Sequence, residues 1–134
     1  MSLFASQSRE QLRATWREAW RKWQARLPLQ PLEAQLADLI CEHPEYHALL
    51  EGATESAESA AFLHLSLHLA LHEQIATDRP PGIAQLHRQL SAKAHHRHAA
   101  EHRMMEVLSE MLAEAQSRGL PPSDSAYLER LRRL

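Results

Sequence analysis

The residues that build β-sheets are almost missing from this sequence. Valine and isoleucine occur only at Ile40, Ile75, Ile83 and Val107, and the chain has three glycines. β-Branched side chains carry much of a sheet's packing, whereas leucine, alanine and glutamate favour helix. A 134-residue chain with this bias is expected to be all-α. The expected form is a compact antiparallel helical bundle of about five to six helices, with 1–134 as a single domain. Hydrophobic residues at 44% and charged residues at 24% lie in the globular range, which excludes wholesale disorder.

Several classes fall away early. Cys41 is the sole cysteine, so no intramolecular disulfide forms. Residues Met1 to Glu10 lack the charged-then-apolar layout of a secretory leader. The longest central run without Asp, Glu, Lys or Arg goes from Ser59 to His72 and carries three histidines. It falls short of the roughly 20 apolar residues that a bilayer requires. A cytoplasmic protein without a membrane segment is the expectation. Formal charge is segregated: +4 over residues 1–30, −9 over 31–78 with no Lys or Arg, and +3 over 79–134. All ten histidines lie between His43 and His102. An acidic, histidine-rich centre argues against nucleic-acid binding and suits a cation.

Periodicity and breakers place the helices. The first is expected from Ser6 or Ser8, as N-cap, to about Arg26. Its apolar face holds Leu12, Trp16, Ala19, Trp20, Trp23 and Leu27. Pro31 opens a second helix to Glu42, burying Leu36, Leu39 and Ile40, and Pro44 stops it while starting a short helical turn through Leu50. Gly52 to Ser59 reads as a loop. The third long helix, Ala61 to Ala76, alternates leucine and histidine from Leu63 to His72. That is formally a strand pattern, but its leucines and alanines favour helix. Further helices follow from Ile83 to about Ala94, from about His96 to Ser117 with Gly119 as C-cap, and after Ser123.

Residues four apart on a helix stand one above the other, close enough for two imidazoles to share a metal ion. His43 and His47, then His64, His68 and His72, then His98, His102 and Glu106 all use that spacing. The histidines of the Ala61–Ala76 helix fall inside its apolar arc. Glu101 falls between Met104, Met105, Leu108 and Leu112 on the apolar stripe of its own helix. A carboxylate there must be protonated, paired or metal-bound. The expected ligands are His47, His64, His68, His98 and His102, with His43, His72 and Glu106 as secondary candidates. Glu101 is expected as a ligand or general base. His87, His95 and His96 read as solvated. His98-Ala99-Ala100-Glu101-His102 also spells H-x-x-E-H, the inverse zinc-peptidase motif, although so short a string arises readily by chance in a histidine-rich chain. The tryptophan face and the Leu128, Leu131, Leu134 stripe suit a homodimer and a monomer's core equally.

Several strings together carry a family resemblance. They are Phe4-Ala5-Ser6-Gln7-Ser8-Arg9, His43-Pro44-Glu45-Tyr46-His47, Phe62-Leu63-His64 with His68-Leu69-Ala70, Asp78-Arg79-Pro80-Pro81-Gly82-Ile83, Ala100-Glu101-His102 with Met104-Met105-Glu106, and Tyr127-Leu128. With these the chain resembles the bacterial domain-of-unknown-function family 1841 over nearly its whole length. The resemblance implies a small cytoplasmic bacterial protein and supplies no activity. Ala60-Ala61 replaces the family's Asn-Pro, and Val107 stands where the family has a cysteine.

An imidazole-rich, thiolate-free set with a carboxylate suits Zn²⁺ or Fe²⁺. With one coordination position open, such a site would take a small-molecule ligand and support hydrolysis or dioxygen chemistry. The ligand order departs from a haemerythrin-like bundle, and the paired Glu-x-x-His motifs of di-iron oxidases are absent. The alternative is a non-catalytic interaction or scaffold protein whose core histidines hydrogen-bond to Glu101, Tyr46 and one another.

Overall fold

A computed structural model describes residues 9–52 and 58–134. Among these, seven α-helices and one 3₁₀ turn form, without strands, as the scarcity of β-branched residues requires. The helices are α1 (Arg9–Gln24), α2 (Pro31–Cys41), α3 (His47–Leu50), α4 (Glu58–Thr77), α5 (Ile83–Ala94), α6 (Arg97–Arg118) and α7 (Asp124–Arg132). The all-α class stands, with more helices than the five to six expected. The short helical turn expected after Pro44 forms as a 3₁₀ turn at Pro44–Tyr46 followed by α3, and counting α3 as a helix brings the number to seven. No helix among the described residues is long and apolar enough to cross a membrane. The chain divides into two compact units, Met1–Leu65 and Ser66–Leu134.

In the first unit α1 packs on α2 around Trp16, Ala19, Trp20, Leu36, Ala37, Leu39 and Ile40, all buried. Pro31 occupies the first turn of α2, where its missing N–H costs nothing. The Glu33 carboxylate accepts from the Gln30 backbone N–H at 2.8 Å and from Lys22 Nζ of α1 at 2.8 Å. The expected cap at Ser6 or Ser8 lies outside the described residues. At its other end α1 stops at Gln24, short of Arg26, because Arg26 turns left-handed at φ 57°. The Leu27 N–H then reaches back to the Lys22 carbonyl at 2.9 Å, a Schellman-type closure. Trp23 and Leu27, expected on the buried face, are exposed at this end of the helix, with Trp23 stacked on Trp20 at 5.1 Å. Helix α4 begins at Glu58, earlier than Ala61, since Ser59, Ala60 and Ala61 tolerate helix well. Residues 53–57 of the expected loop lie outside the described set.

The second unit packs Leu71 of α4, Ile83 and Leu86 of α5, Met104, Met105, Val107, Leu108 and Met111 of α6, and Tyr127 and Leu131 of α7. Leu128 and Leu134 lie against this core, so the C-terminal leucine stripe is used within the unit. Caps follow the sequence. Asp78 Oδ1 accepts from the N–H groups of Gly82 and Ala84 at 3.1 Å each, covering the start of α5. The Ser123 hydroxyl accepts from Ala126 N at 3.3 Å and starts α7. Gly119 ends α6 in the left-handed region at φ 68°. Tyr127 donates its hydroxyl to Gln74 Oε1 at 2.7 Å, tying α7 to α4. Leu112, expected within the buried stripe of α6, is exposed at 43%. Met111 is buried in its place.

Candidate functional site

Within the second unit, α4, α5 and α6 turn polar side chains toward one buried carboxylate. Glu101 is 1% exposed. Its Oε1 accepts from His68 Nε2 at 2.7 Å and from His72 Nε2 at 2.8 Å. Its Oε2 accepts from His87 Nε2 at 2.9 Å and from Arg97 Nη1 at 2.8 Å. The helical repeat explains the convergence. His68 and His72 are one turn apart on α4, and Arg97 and Glu101 one turn apart on α6. Burial alone would push the Glu101 carboxyl up. The hydrogen bonds from His68, His72 and His87, with the charge of His72, hold it instead well below the usual carboxylate range. Glu101 is therefore an ionised buried acid, and four donors compensate its desolvation.

His68, itself fully buried, also faces a second group of rings. Its ring centroid lies 5.2 Å from that of His98 and 5.4 Å from that of His102, and those two are 4.1 Å apart. Taken pairwise, a ring nitrogen of His68 comes within 4.8 Å of one on His98 and of one on His102. As a set of three, one ligand atom from each of His68, His72 and Glu101 falls within 4.8 Å of the others. The unit thus contains buried His and Glu groups spaced to hold a metal ion.

The other expected ligands belong to the first unit. His43 is fully buried and donates from Nδ1 to the Leu39 carbonyl at 2.7 Å. In the neutral tautomer its Nε2 then accepts from His64 Nε2 at 3.1 Å. Tyr46 stacks on His43 at 5.6 Å and meets His64 edge-on at 5.7 Å. His47 donates from Nε2 to the Ile40 carbonyl at 2.9 Å and lies against Trp20 at 4.4 Å. By position in the chain, His47 and His64 belong to the first unit and His68, His98 and His102 to the second. Of the secondary candidates, His72 joins the Glu101 group, whereas Glu106 is exposed.

Two members of the Glu101 group escaped the sequence reading. His87, read as solvated, is partly buried and bonded to Glu101, because it sits on α5 beside the buried face of Ile83 and Leu86. Plotting α5 on a helical wheel would have found it. Arg97 stands four residues before Glu101, an ordinary ion-pair spacing. His95 and His96 are exposed as expected, and His96 Nδ1 caps α6 by accepting from Ala99 N at 3.1 Å.

A family model described as "Domain of unknown function (DUF1841)" matches residues 8–133. Neither a curated protein nor a solved structure gives a significant match.

Proposed function

Because the chain belongs to domain-of-unknown-function family 1841, whose description names no activity, we propose a function from the site alone: binding of a divalent metal, Zn²⁺ or Fe²⁺. His68, His98 and His102 are the ligands in this reading. The spacing of their rings supports it. Imidazoles that share a tetrahedral ion at about 2.0–2.1 Å have ring centroids roughly 5 Å apart. The observed separations of 5.2, 5.4 and 4.1 Å bracket that value. Three neutral imidazoles without a thiolate favour Zn²⁺ or Fe²⁺ over softer ions. Three protein ligands also leave a coordination position open for water or a small molecule. Such a metal would supply Lewis acidity for hydrolysis, or, as iron, dioxygen and redox chemistry. The chain's own contribution is one fully buried ring from α4 and two partly buried rings from α6, which would shield one side of the ion from bulk water.

The test is metal content per chain, by elemental mass spectrometry on the full-length protein purified without chelator. Near-stoichiometric zinc or iron, lost in His98→Gln/His102→Gln, is the expected result. Metal below about one ion per five chains after reconstitution would refute the reading, since a structural or catalytic site binds far more tightly than that.

One observation favours a second reading, a non-catalytic scaffold. Glu101 already has four hydrogen-bond donors and needs no ion for its burial. Under that reading a chelator leaves the melting temperature unchanged. Under the metal reading it lowers it.

A further inference from the structure

The geometry points to Glu101 as the outer carboxylate of a carboxylate–histidine–metal relay: it holds His68 by Nε2 and turns Nδ1 of the same ring toward the ion. This rests on the metal reading above and assigns the roles within it. Glu101 is then a positioning residue, neither a ligand nor a general base.

Distances separate the two sides of His68. Two ligand atoms on one tetrahedral ion at about 2.0–2.1 Å stand roughly 3.3 Å apart. His68 Nε2 and His72 Nε2 lie 2.7 and 2.8 Å from Glu101 Oε1, the spacing of charge-assisted hydrogen bonds. The His68 ring as a whole lies 5.2 and 5.4 Å from those of His98 and His102, centroid to centroid, the spacing of imidazoles that share an ion, and Nδ1 is the ring nitrogen that Glu101 does not take.

Acceptor capacity leads to the same assignment. A carboxylate offers about four lone-pair directions, and here His68, His72, His87 and Arg97 take four. A carboxylate so occupied has little left for a metal or for a substrate proton. A carboxylate also accepts only, so His68 must carry its proton on Nε2. In the neutral ring the lone pair is then on Nδ1, and the hydrogen bond raises the basicity of that nitrogen. His72, His87 and Arg97 hold the carboxylate in turn. The H-x-x-E-H string over His98–His102 accordingly works in a way its sequence does not suggest. In this assignment its two histidines would hold the ion, while its glutamate accepts from the Nε2 of a histidine on another helix.

The test uses full-length protein labelled with ¹⁵N-histidine, stripped by chelator and loaded with ¹¹³Cd²⁺ alone. His98→Gln and His102→Gln variants assist the assignment. The expected result is cadmium coupling to Nδ1 of His68, with the Nε2 proton of that ring retained. Glu101→Gln should bind Zn²⁺ about 10–100-fold more weakly, as outer-shell losses do. Its residual bound metal should show the Nδ1 coupling weakened or divided between the two nitrogens. Coupling at His68 Nε2 would overturn the assignment and leave the metal reading intact. Coupling at His98 and His102 with none at His68 would do the same. Failure to bind Cd²⁺ or Zn²⁺ at all would overturn both.

Discussion

Replacing Glu101 by leucine tests the buried carboxylate directly, with metal excluded by chelator. Four donors lose their acceptor at once, and the loss differs with their exposure. The His68 side chain is fully buried, so its Nε2–H forfeits a charge-assisted bond without water to replace it, a loss of about 2 kcal/mol. His87 and His72, with side chains 15% and 26% exposed, are partly rescued by solvent and add about 0.5 kcal/mol each. Arg97 is 51% exposed and returns to water almost without loss. The total is about 3 kcal/mol, at the low end for removing one partner of a buried ionic group. For a chain of this size that is a fall of about 12 °C in melting temperature, at roughly 4 °C per kcal/mol. Differential scanning calorimetry on wild type, Glu101→Leu and Arg97→Ala reads the hierarchy. Arg97→Ala should lose less than about 1 kcal/mol. A Glu101→Leu loss below about 1 kcal/mol, or an Arg97→Ala loss equal to it, would refute the view that Glu101 organises this core.

Acid titration gives an independent check of the same group. The folded-state pKa of Glu101 is depressed, so its contribution is complete above the unfolded value of about 4.3 and is lost as pH falls toward the folded value. In urea unfolding, the stability gap between wild type and Glu101→Leu should therefore be constant near pH 5.5 and narrow by pH 3.5; a widening gap would contradict the assignment. Tyr127→Phe removes the bond to Gln74 and should cost about 1 kcal/mol in the same assay, whereas a neutral effect would mean that the contact contributes nothing. Arg26→Gly relieves a left-handed residue at the end of α1 and should raise stability by about 0.5–1 kcal/mol; a destabilised variant would show that the Arg26 side chain matters more than its backbone.

What the sequence disclosed depended on how local each determinant is. Helix α5 starts at Ile83 and ends at Ala94 as its pattern indicates, and Gly119 closes α6, because breakers and caps act within a few residues. The leucine–histidine alternation in α4 resolved to helix because backbone propensity, uniform along that stretch, outweighed a period that is accidental. The arc that α4 buries was less legible. Leu63 is 59% exposed while Leu65 and Leu69 are buried, a choice made by neighbouring helices that the local pattern does not encode. For the site, Glu101 was visible as a charge in an apolar stripe. Core histidines were expected as its partners only as a class; which ones was not legible, since His87 and His72 reach it from 14 and 29 residues away in sequence. A contact of that range is set by packing alone.

The bond between Tyr127 and Gln74 also has a consequence for biosynthesis. Its partners are 53 residues apart, so α4 leaves the ribosome well before α7 can cover it. At roughly 5–20 residues per second the delay is about 3–10 s. Throughout that interval Leu71 lacks the Tyr127 and Leu131 side chains that complete the core, and Met104 and Met111 lack them from the moment each is made. The nascent chain therefore carries an unfinished apolar surface for seconds, long enough for chaperone capture or for collision with a neighbouring chain on the same messenger RNA. Cellular yield of this unit is accordingly more sensitive to elongation rate over residues 75–127 than its folded stability alone would indicate.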